Sequence, residues 1–320
     1  MSVTVFAPAS IGNVSVGFDV LGLAVRPVDG SLLGDLVSVS AAQEDSLVVK
    51  GEFANKLPGK PTDNIVWHCL KLFNQTLEEQ DKSPEPVMLT LEKRMPVGSG
   101  LGSSACSVVA ALEALNVYYH HVFSEETMLM LMGKMEAQIS GSLHYDNVAP
   151  CYLGGLQLMV PDEQVISRKL PGFDECYYVM AYPGIEVSTK AAREVLPTQY
   201  SRQDLIQYGQ NLATFVDACH RNDKQQAYAV VQDVVAEPYR QHLLPGFENA
   251  KAYLTAQGAL AVGISGSGPT LFCVCDQQER AEEMAQWLRL NYLQTDLGFV
   301  HVCKVDEQGA CEVSPSAQKD

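Results

Sequence analysis

The sequence predicts an α+β protein built from two domains, and three observations support that expectation. The chain has 320 residues, which suits two modest domains or one large one. Polarity rises from Pro161 onward, so we expect the domains at residues 1–162 and 163–320. In the second of these the segment patterns run strand, helices, two strands, helix, strand. This is the split βαββαβ order of a ferredoxin-like domain.

Strands dominate the start of the first half, and helices follow them. Alternating or short apolar runs predict strands at residues 3–7, 20–25, 35–41, 47–49, 87–91 and 152–160. Helical spacing predicts helices at residues 61–79 and 124–140. Between them, a further helix is expected to follow a glycine-rich stretch and to run to about residue 119. The first helix has an apolar face made of Val66, Cys69, Leu70, Phe73 and Leu77. Ser124 is suited to cap the third.

The second half begins with a strand expected at residues 176–182. A group of helices is expected between residues 188 and 257. Two strands joined by a tight turn follow at residues 259–264 and 270–275. A helix at residues 277–291 and a last strand at 298–305 come next. The polar residues 306–320 are expected to fray.

The charge balance disfavours two classes of partner. Lys and Arg number 22 against 38 Asp and Glu, a net charge of −16. This acidic surplus disfavours nucleic acid and anionic membranes. The uncharged run at residues 95–112 is broken by Pro96, three glycines and several serines, so it is not expected to span a membrane.

The cysteines indicate a reducing compartment. They number nine and form no CxxC pair. Cys273 and Cys275 lie two apart on an apolar run and should share one strand face as buried thiols rather than as metal ligands. No basic segment precedes Arg26, so we expect no signal peptide and a cytoplasmic location.

The most informative stretch joins a strand pattern to a helix pattern and reads Pro96-Val97-Gly98-Ser99-Gly100-Leu101-Gly102-Ser103-Ser104-Ala105-Cys106. Glycine lets backbone N–H groups turn toward a ligand. The start of the following helix offers unpaired N–H groups and a positive dipole end. Together they predict an anion site, for which phosphate is the usual ligand. The stretch is neither a P-loop nor a GxGxxG fingerprint, and a glycine-rich turn before a packed helix is the alternative.

This stretch resembles the phosphate loop of the GHMP kinases, which include galactokinase and the homoserine, mevalonate and phosphomevalonate kinases. Three more segments carry the resemblance. Ala7-Pro8-Ala9-Ser10-Ile11-Gly12-Asn13-Val14-Ser15-Val16-Gly17-Phe18-Asp19-Val20-Leu21-Gly22 is similar to the first motif of the family, and Gly263-Ile264-Ser265-Gly266-Ser267-Gly268-Pro269-Thr270 to its third. Ser140-Gly141-Ser142-Leu143-His144-Tyr145-Asp146-Asn147-Val148-Ala149-Pro150 points to the homoserine kinases within it. The resemblance implies a two-domain GHMP kinase fold, with an N-terminal domain like domain 2 of ribosomal protein S5 and a ferredoxin-like C-terminal domain.

The resemblance also implies which residues bind ATP and Mg²⁺. Residues 96–106 would cradle the phosphates, while Ser104 and Glu136 would hold the ion, for which oxygen ligands are suited. Taken alone, a serine such as Ser104 is more often an N-cap, and Glu136 could equally be a residue on the surface of an amphipathic helix. Asn64 and Lys93 are candidates for the outer part of the nucleotide pocket.

The amino-acid site is implied in the same way. In the homoserine kinases the matching positions line it, and here they are Asn13, Asp19, His144, Asn147, Arg193 and Arg240. An aspartate such as Asp19 can meet an ammonium group. The guanidinium groups of Arg193 and Arg240 can clamp a carboxylate with paired hydrogen bonds.

One departure concerns the catalytic base. Several GHMP kinases have an aspartate as base where this chain has Asn147, which cannot usefully accept a proton. Either the neighbouring Asp146 turns inward, or the reaction proceeds by alignment and charge stabilisation without a base. A loose transition state asks little of the nucleophile.

The expected function is ATP-dependent phosphorylation of the L-homoserine hydroxyl, in threonine biosynthesis, with a homodimer implied by the subfamily. One alternative is a GHMP kinase for another small molecule, such as mevalonate or shikimate. Mevalonate carries no ammonium, so His144 and the arginine pair argue against it. The other alternative is a nucleotide-binding regulator that keeps the fold without catalysis. Loss of Ser104 or Glu136 would favour that alternative, and both are present.

Overall fold

The helices and strands follow the sequence patterns closely in a computed structural model that describes residues 2–162 and 165–313. The strands are β1 (Ser2–Pro8), β2 (Ser10–Gly12), β3 (Leu21–Pro27), β4 (Gly34–Ala41), β5 (Ser46–Lys50), β6 (Val87–Glu92), β7 (Leu156–Met159), β8 (Ser167–Leu170), β9 (Tyr177–Tyr182), β10 (Ala261–Ile264), β11 (Leu271–Cys275), β12 (Phe299–Val305) and β13 (Cys311–Glu312). The α-helices are α1 (Ile65–Glu78), α2 (Ser103–Tyr118), α3 (Glu125–Ser140), α4 (Val148–Leu153), α5 (Thr189–Glu194), α6 (Arg202–Arg221), α7 (Lys224–Ala229), α8 (Glu237–Arg240), α9 (Phe247–Ala256) and α10 (Gln278–Asn291).

The first sheet has five strands in the order β13-β1-β4-β6-β5. Helix α2 packs against β1 and β4 and is flanked by α1 and α3. Most of α2 is buried, because small residues such as Ala110, Ala111 and Ala114 let neighbouring elements approach it closely. This packing leaves the N-terminus of α2, and the glycine-rich stretch before it, at one edge of the core.

The second sheet has the strand order β10-β11-β9-β12-β3-β7-β8. Its four strands from the second half pair antiparallel in the order that a split βαββαβ unit produces, with α9 and α10 packed on them. The ferredoxin-like arrangement predicted for the second half is therefore confirmed.

The two halves share their sheets. Strand β3 of the first half pairs with β12, with Val25 opposite Val305, and so extends the ferredoxin-like sheet. Conversely β13 pairs with β1, where Phe6 lies opposite Cys311. The boundary after residue 162 stays a prediction, but hydrogen-bonded sheets cross it.

Several local predictions need correction. The strand expected at 152–160 is shorter, because residues 152 and 153 end α4 and β7 starts at Leu156. Residues 61–63 form a 3-10 turn rather than the first turn of α1, since Asn64 caps the α-helix by accepting from Val66 N. The sequence patterns missed the short strands β2, β8 and β13. Part of the tail expected to fray is β13, and residues 314–320 lie outside the described residues.

The prediction that Cys273 and Cys275 are buried on one strand face is confirmed. All nine cysteines are free thiols. Cys273 and Cys275 are buried on one face of β11, with their sulfur atoms 3.9 and 3.3 Å from Met284 Sδ. Among the described residues, no helix is both long enough and apolar enough to cross a membrane.

Candidate active site

Residues of the glycine-rich stretch line a cavity of about 440 Å³, whose other lining residues come from both halves of the chain. Gly98, Gly100 and Gly102 have φ angles of 62°, 79° and 70°, which only glycine adopts readily. A Cβ atom would lie 2.5 Å from Ser265 O at Gly100 and 2.4 Å from Ser10 Oγ at Gly102. Backbone freedom and close packing therefore both require glycine here.

Part of the predicted loop faces the cavity and part lies beneath it. The residues that line it are Val97, Gly98, Ser99, Gly100, Gly102, Ser103 and Ser104. Pro96, Leu101, Ala105 and Cys106 are buried and absent from the lining. Cys106 instead donates to the carbonyl of Pro8, 3.2 Å away. These four side chains support the loop, and the nucleotide contact expected for each stays a prediction.

Lys93 is buried beneath the loop, at 1% exposure, and belongs to the lining of the same cavity. Its Nζ lies 2.5 Å from Asp35 Oδ2 and donates to Ser103 O and Ser107 Oγ, each at 2.9 Å. The other carboxylate oxygen of Asp35 accepts from the backbone N–H groups of Arg94 and Met95. This buried ion pair ties both ends of the loop together. The nucleotide contact expected for Lys93 stays a prediction, whereas Asp35 was not predicted, because a buried pair 58 residues apart has no local pattern.

Asn64 lies on the cavity wall at the start of α1. Its Oδ1 is used by the helix cap, whereas Nδ2 is buried and has no hydrogen-bond partner within the described part of the chain. A buried donor of this kind requires an acceptor. The geometry is compatible with the nucleotide contact expected from the sequence.

Ser104 and Glu136 both line the cavity and contact each other, whereas their role as metal ligands stays a prediction. Ser104, in the first turn of α2, donates to Glu136 Oε1 of α3 at 2.7 Å. Glu136 is 6% exposed. Burial raises the pKa of Glu136, although the hydrogen bond from Ser104 acts in the opposite direction. A buried carboxylate beside a hydroxyl is an oxygen-only donor pair, which fits Mg²⁺ better than a softer metal.

His144, Asp146 and Asn147 form one hydrogen-bonded group on the cavity wall. His144 Nδ1 lies 2.8 Å from Asp146 Oδ1, while Asn147 Nδ2 donates to Asp146 Oδ2 at 3.2 Å. Ser10 Oγ donates to Asn147 Oδ1 at 3.0 Å. His144 Nε2 is buried and has no partner among residues 2–162 and 165–313. Burial by itself would lower the pKa of His144, but the hydrogen bond and charge of Asp146 outweigh it and the pKa is raised.

Tight packing fixes the position of this group. A Cβ atom on Gly12 of β2 would lie 2.5 Å from Asp146 Oδ2, and one on Gly22 of β3 would lie 1.7 Å from Asp146 O. Both glycines belong to the first motif. At these two positions of the first motif, a residue with a side chain would not fit.

The predicted carboxylate and arginines gather around Phe18 on the lining of the same cavity. Arg193 makes two 2.9 Å hydrogen bonds to Asp19, and these raise the pKa of Arg193. Arg240 is 3% exposed and donates to the carbonyls of Ala192 and Gly266. Both guanidinium groups lie over the Phe18 ring, 5.7 and 5.4 Å from its centroid. Phe18 was not predicted as a site residue, since the sequence shows it only as part of the first motif.

Asn13 shapes the loop that carries Phe18 and Asp19. Its Oδ1 accepts from Asp19 N at 2.8 Å and its Nδ2 donates to Gly266 O at 3.1 Å. Asn13, Val14 and Ser15 have φ angles of 67°, 47° and 56°, and such a run is costly for a β-branched residue such as Val14. Asn13 therefore orients Asp19 through backbone and side-chain contacts as well as lining the cavity.

Comparison with known proteins gives family matches in both halves. Residues 64–155 match the description "GHMP kinases N terminal domain" and residues 211–292 match "GHMP kinases C terminal". A homoserine kinase from Cytophaga hutchinsonii is 33% identical, with a TM-score of 0.87, and the match covers 98% of this chain and 97% of that one. A mevalonate kinase from Methanococcus jannaschii is 15% identical with a TM-score of 0.67, covering 95% and 98%, and a Streptococcus pneumoniae phosphomevalonate kinase is 12% identical with 0.69, covering 95% and 99%. At these lower identities the likeness concerns the fold alone.

Proposed function

The chain belongs to the GHMP kinase family, and on that premise we propose that it is a homoserine kinase. It would transfer the γ-phosphoryl group of ATP to the hydroxyl of L-homoserine, giving O-phospho-L-homoserine and ADP. The observation that carries the proposal is the charge layout of one cavity. A glycine-rich loop lines one part of it, and Asp19 with two arginines lines another. The first suits phosphates, and the second suits the ammonium and carboxylate groups of an amino acid.

The loop and the Ser104–Glu136 pair would bind the triphosphate and its Mg²⁺. Glu136 is held by Ser104 and by its place in the packed helix α3, so its carboxylate needs little reorganisation to accept a cation. When bound, the ion would neutralise charge on the β- and γ-phosphates. The backbone N–H groups at the start of α2, together with the positive end of the helix dipole, would also bind the phosphates.

The amino acid would lie with its charged end at Asp19 and its hydroxyl toward the phosphates. Asp19 would accept from the ammonium, while Arg193 and Arg240 would donate to the carboxylate. Because Nε and one N–H of Nη1 of Arg240 are already used by Ala192 and Gly266, Nη2 is its main donor for a ligand. One N–H of Nη1 and both N–H groups of Nη2 therefore remain for the carboxylate contact expected from the sequence.

The hydroxyl of the amino acid forms the new P–O bond as the bond between the γ-phosphorus and the bridging oxygen of ADP breaks. ADP leaves with the bridging oxygen, and the hydroxyl proton passes to an oxygen of the transferred phosphoryl group and from there to solvent. Both carboxylate oxygens of Asp146 are engaged, one by His144 and one by Asn147. This supports a reaction without Asp146 as base, in which Asn147 orients the hydroxyl and Asp146 orients Asn147 and His144.

The function is tested by ADP release from the purified protein with ATP, Mg²⁺ and one of several alcohols. We expect turnover with L-homoserine and none above background with mevalonate or shikimate. Preference for another alcohol would redirect the assignment within the family. Nucleotide binding without transfer to any alcohol would support a regulator instead. A cytoplasmic location and a homodimer stay predictions from the sequence.

The base question is tested by Asp146→Asn and Asn147→Leu, with kcat measured against pH. Without a base, Asp146→Asn should lower kcat by less than about 100-fold, because a general base is worth roughly 10²–10⁴. Asn147→Leu should cost more, since misplacement by about 1 Å can cost ~10² in rate. If Asp146→Asn is folded, binds both substrates normally and yet loses kcat together with the acidic limb of the profile, Asp146 is the base.

A further inference from the structure

The acceptor end of the cavity contains a salt bridge between two groups that the proposed function assigns to the substrate. Arg193 Nη1 lies 2.9 Å from Asp19 Oδ2, and Nη2 lies 2.9 Å from Asp19 Oδ1. Each side chain is about one third exposed, at 30% and 32%, and both line the cavity. The carboxylate that would receive an ammonium and the guanidinium that would receive a carboxylate are thus paired with each other.

The backbone and the surrounding rings hold this pair in place. The backbone N–H of Asp19 is bonded to Asn13, and the residue has a φ of 57°, so its main chain is fixed by the loop. The guanidinium of Arg193 rests over the Phe18 ring. Arg193 Nε is buried and finds no acceptor within the described residues, so only the paired edge of the guanidinium is satisfied.

Arg240 differs from Arg193 although both lie over Phe18. Arg240 is held by two backbone carbonyls and forms none of the ion pairs described for this structure. It is therefore a fixed donor for a carboxylate. In Arg193 the edge formed by Nη1 and Nη2 is occupied by Asp19, so a carboxylate that binds this edge with paired hydrogen bonds must displace Asp19.

Resting on the proposed function, we propose that the Asp19–Arg193 salt bridge occupies the acceptor site as a substitute for a zwitterion and so restricts the site to free α-amino acids. A ligand with both charges replaces one ion pair by two, with ammonium on Asp19 and carboxylate on Arg193. A ligand with a carboxylate alone takes Arg193 and leaves Asp19 half-buried and unpaired, which costs free energy. A ligand with an ammonium alone takes Asp19 and leaves the Arg193 guanidinium partly buried and without its ion-pair partner, which also costs free energy.

The salt bridge therefore makes recognition of the two charges cooperative. The ammonium binds Asp19 better once the carboxylate has taken Arg193, and the carboxylate binds Arg193 better once the ammonium has taken Asp19. The test uses L-homoserine and two analogues that each lack one charge. These are 4-hydroxybutyrate, which lacks the ammonium, and 3-aminopropan-1-ol, which lacks the carboxylate. Calorimetric titration of the intact protein with saturating ADP and Mg²⁺ measures each affinity without turnover.

Wild-type protein should bind each analogue at least about 100-fold more weakly than homoserine, since each analogue loses a charged contact and leaves a charge unpaired. Asp19→Asn should weaken homoserine binding by at least about 10-fold. The same variant should bind 4-hydroxybutyrate at least about 10-fold more tightly than wild type does, because Arg193 is released without leaving a bare carboxylate. Arg193→Gln should likewise gain affinity for 3-aminopropan-1-ol.

Arg240→Gln is the matched control. It removes the same charge from the same cavity but leaves the salt bridge intact, so it should not gain affinity for 3-aminopropan-1-ol. A gain as large as that of Arg193→Gln would mean that general electrostatics, not the salt bridge, sets the selectivity, and the inference would fail.

The remaining outcomes separate this inference from the proposed function. If neither Asp19→Asn nor Arg193→Gln gains affinity for its analogue, the salt bridge is not a barrier to binding. If wild type binds homoserine no better than 4-hydroxybutyrate, the inference is also wrong. If wild type binds homoserine selectively and the variants behave as expected, but no phosphate is transferred, the proposed function fails and the inference stands.

Discussion

Replacing Gly102 with valine should abolish measurable ATP binding while the protein remains folded. A Cβ atom there would lie 2.4 Å from Ser10 Oγ and 3.0 Å from Asn147 Oδ1, on the wall of the cavity. Gly102 also has a φ of 70°, which valine resists strongly, so the loop must change course where it meets α2. The N–H groups that would face the phosphates then turn away. Gly100→Val should act in the same way, since its Cβ would meet backbone oxygen at 2.5 Å.

The measurement is calorimetric titration with ATP and Mg²⁺, with circular dichroism as a check on folding. Gly30→Val is the matched control. Gly30 has a φ of 81°, no atom lies within 4 Å of the position that its Cβ would take, and the residue is away from the cavity lining. This control bears the same backbone strain and should keep wild-type affinity. Wild-type affinity in Gly102→Val would show that the loop does not hold the phosphates.

Glu136→Gln is expected to lower kcat at least ~100-fold, a typical loss when an electrostatic contribution to the transition state is removed. The amide can still accept the hydrogen bond from Ser104, so the shape of the site is kept and only the charge is lost. Nucleotide affinity without Mg²⁺ should change little, whereas the gain in affinity on adding Mg²⁺ should shrink. Near-normal turnover at ordinary Mg²⁺ concentrations would exclude Glu136 as a ligand.

Thermal melting supplies a second readout that does not depend on activity. Because burial raises the pKa of Glu136 in the folded protein, its contribution to stability is present below its unfolded pKa and is lost as the pH rises through the folded pKa. The glutamine variant has no such loss. In metal-free buffer at pH 8 its Tm should therefore equal or exceed that of wild type. Glu113→Gln, a partly buried carboxylate outside the cavity lining, is the control for turnover and should leave kcat unchanged.

The residues brought together in the cavity were largely identified from short motifs. Asp19, His144, Asn147 and Arg193 line one cavity, as the resemblance implied, although the first and last are 174 residues apart in the chain. Such motifs can be read from the sequence because glycine spacing and polar residue types are local properties of the chain. The ion pair of Lys93 with Asp35 was not predicted, because a lysine beside a phosphate loop has the same local sequence whether or not a carboxylate lies below it.

The sequence by itself determined the kinds of element and their order, because apolar spacing and turn residues act over a few positions. Only the tertiary structure decided that β3 of the first half completes the ferredoxin-like sheet, and that Asp19 and Arg193 pair with each other. Strand pairing and ion pairing join residues that are far apart in the chain, and many partners are chemically equivalent until packing brings one within reach. The charge types were therefore readable from the sequence, whereas the partner of each charge was a property of the fold.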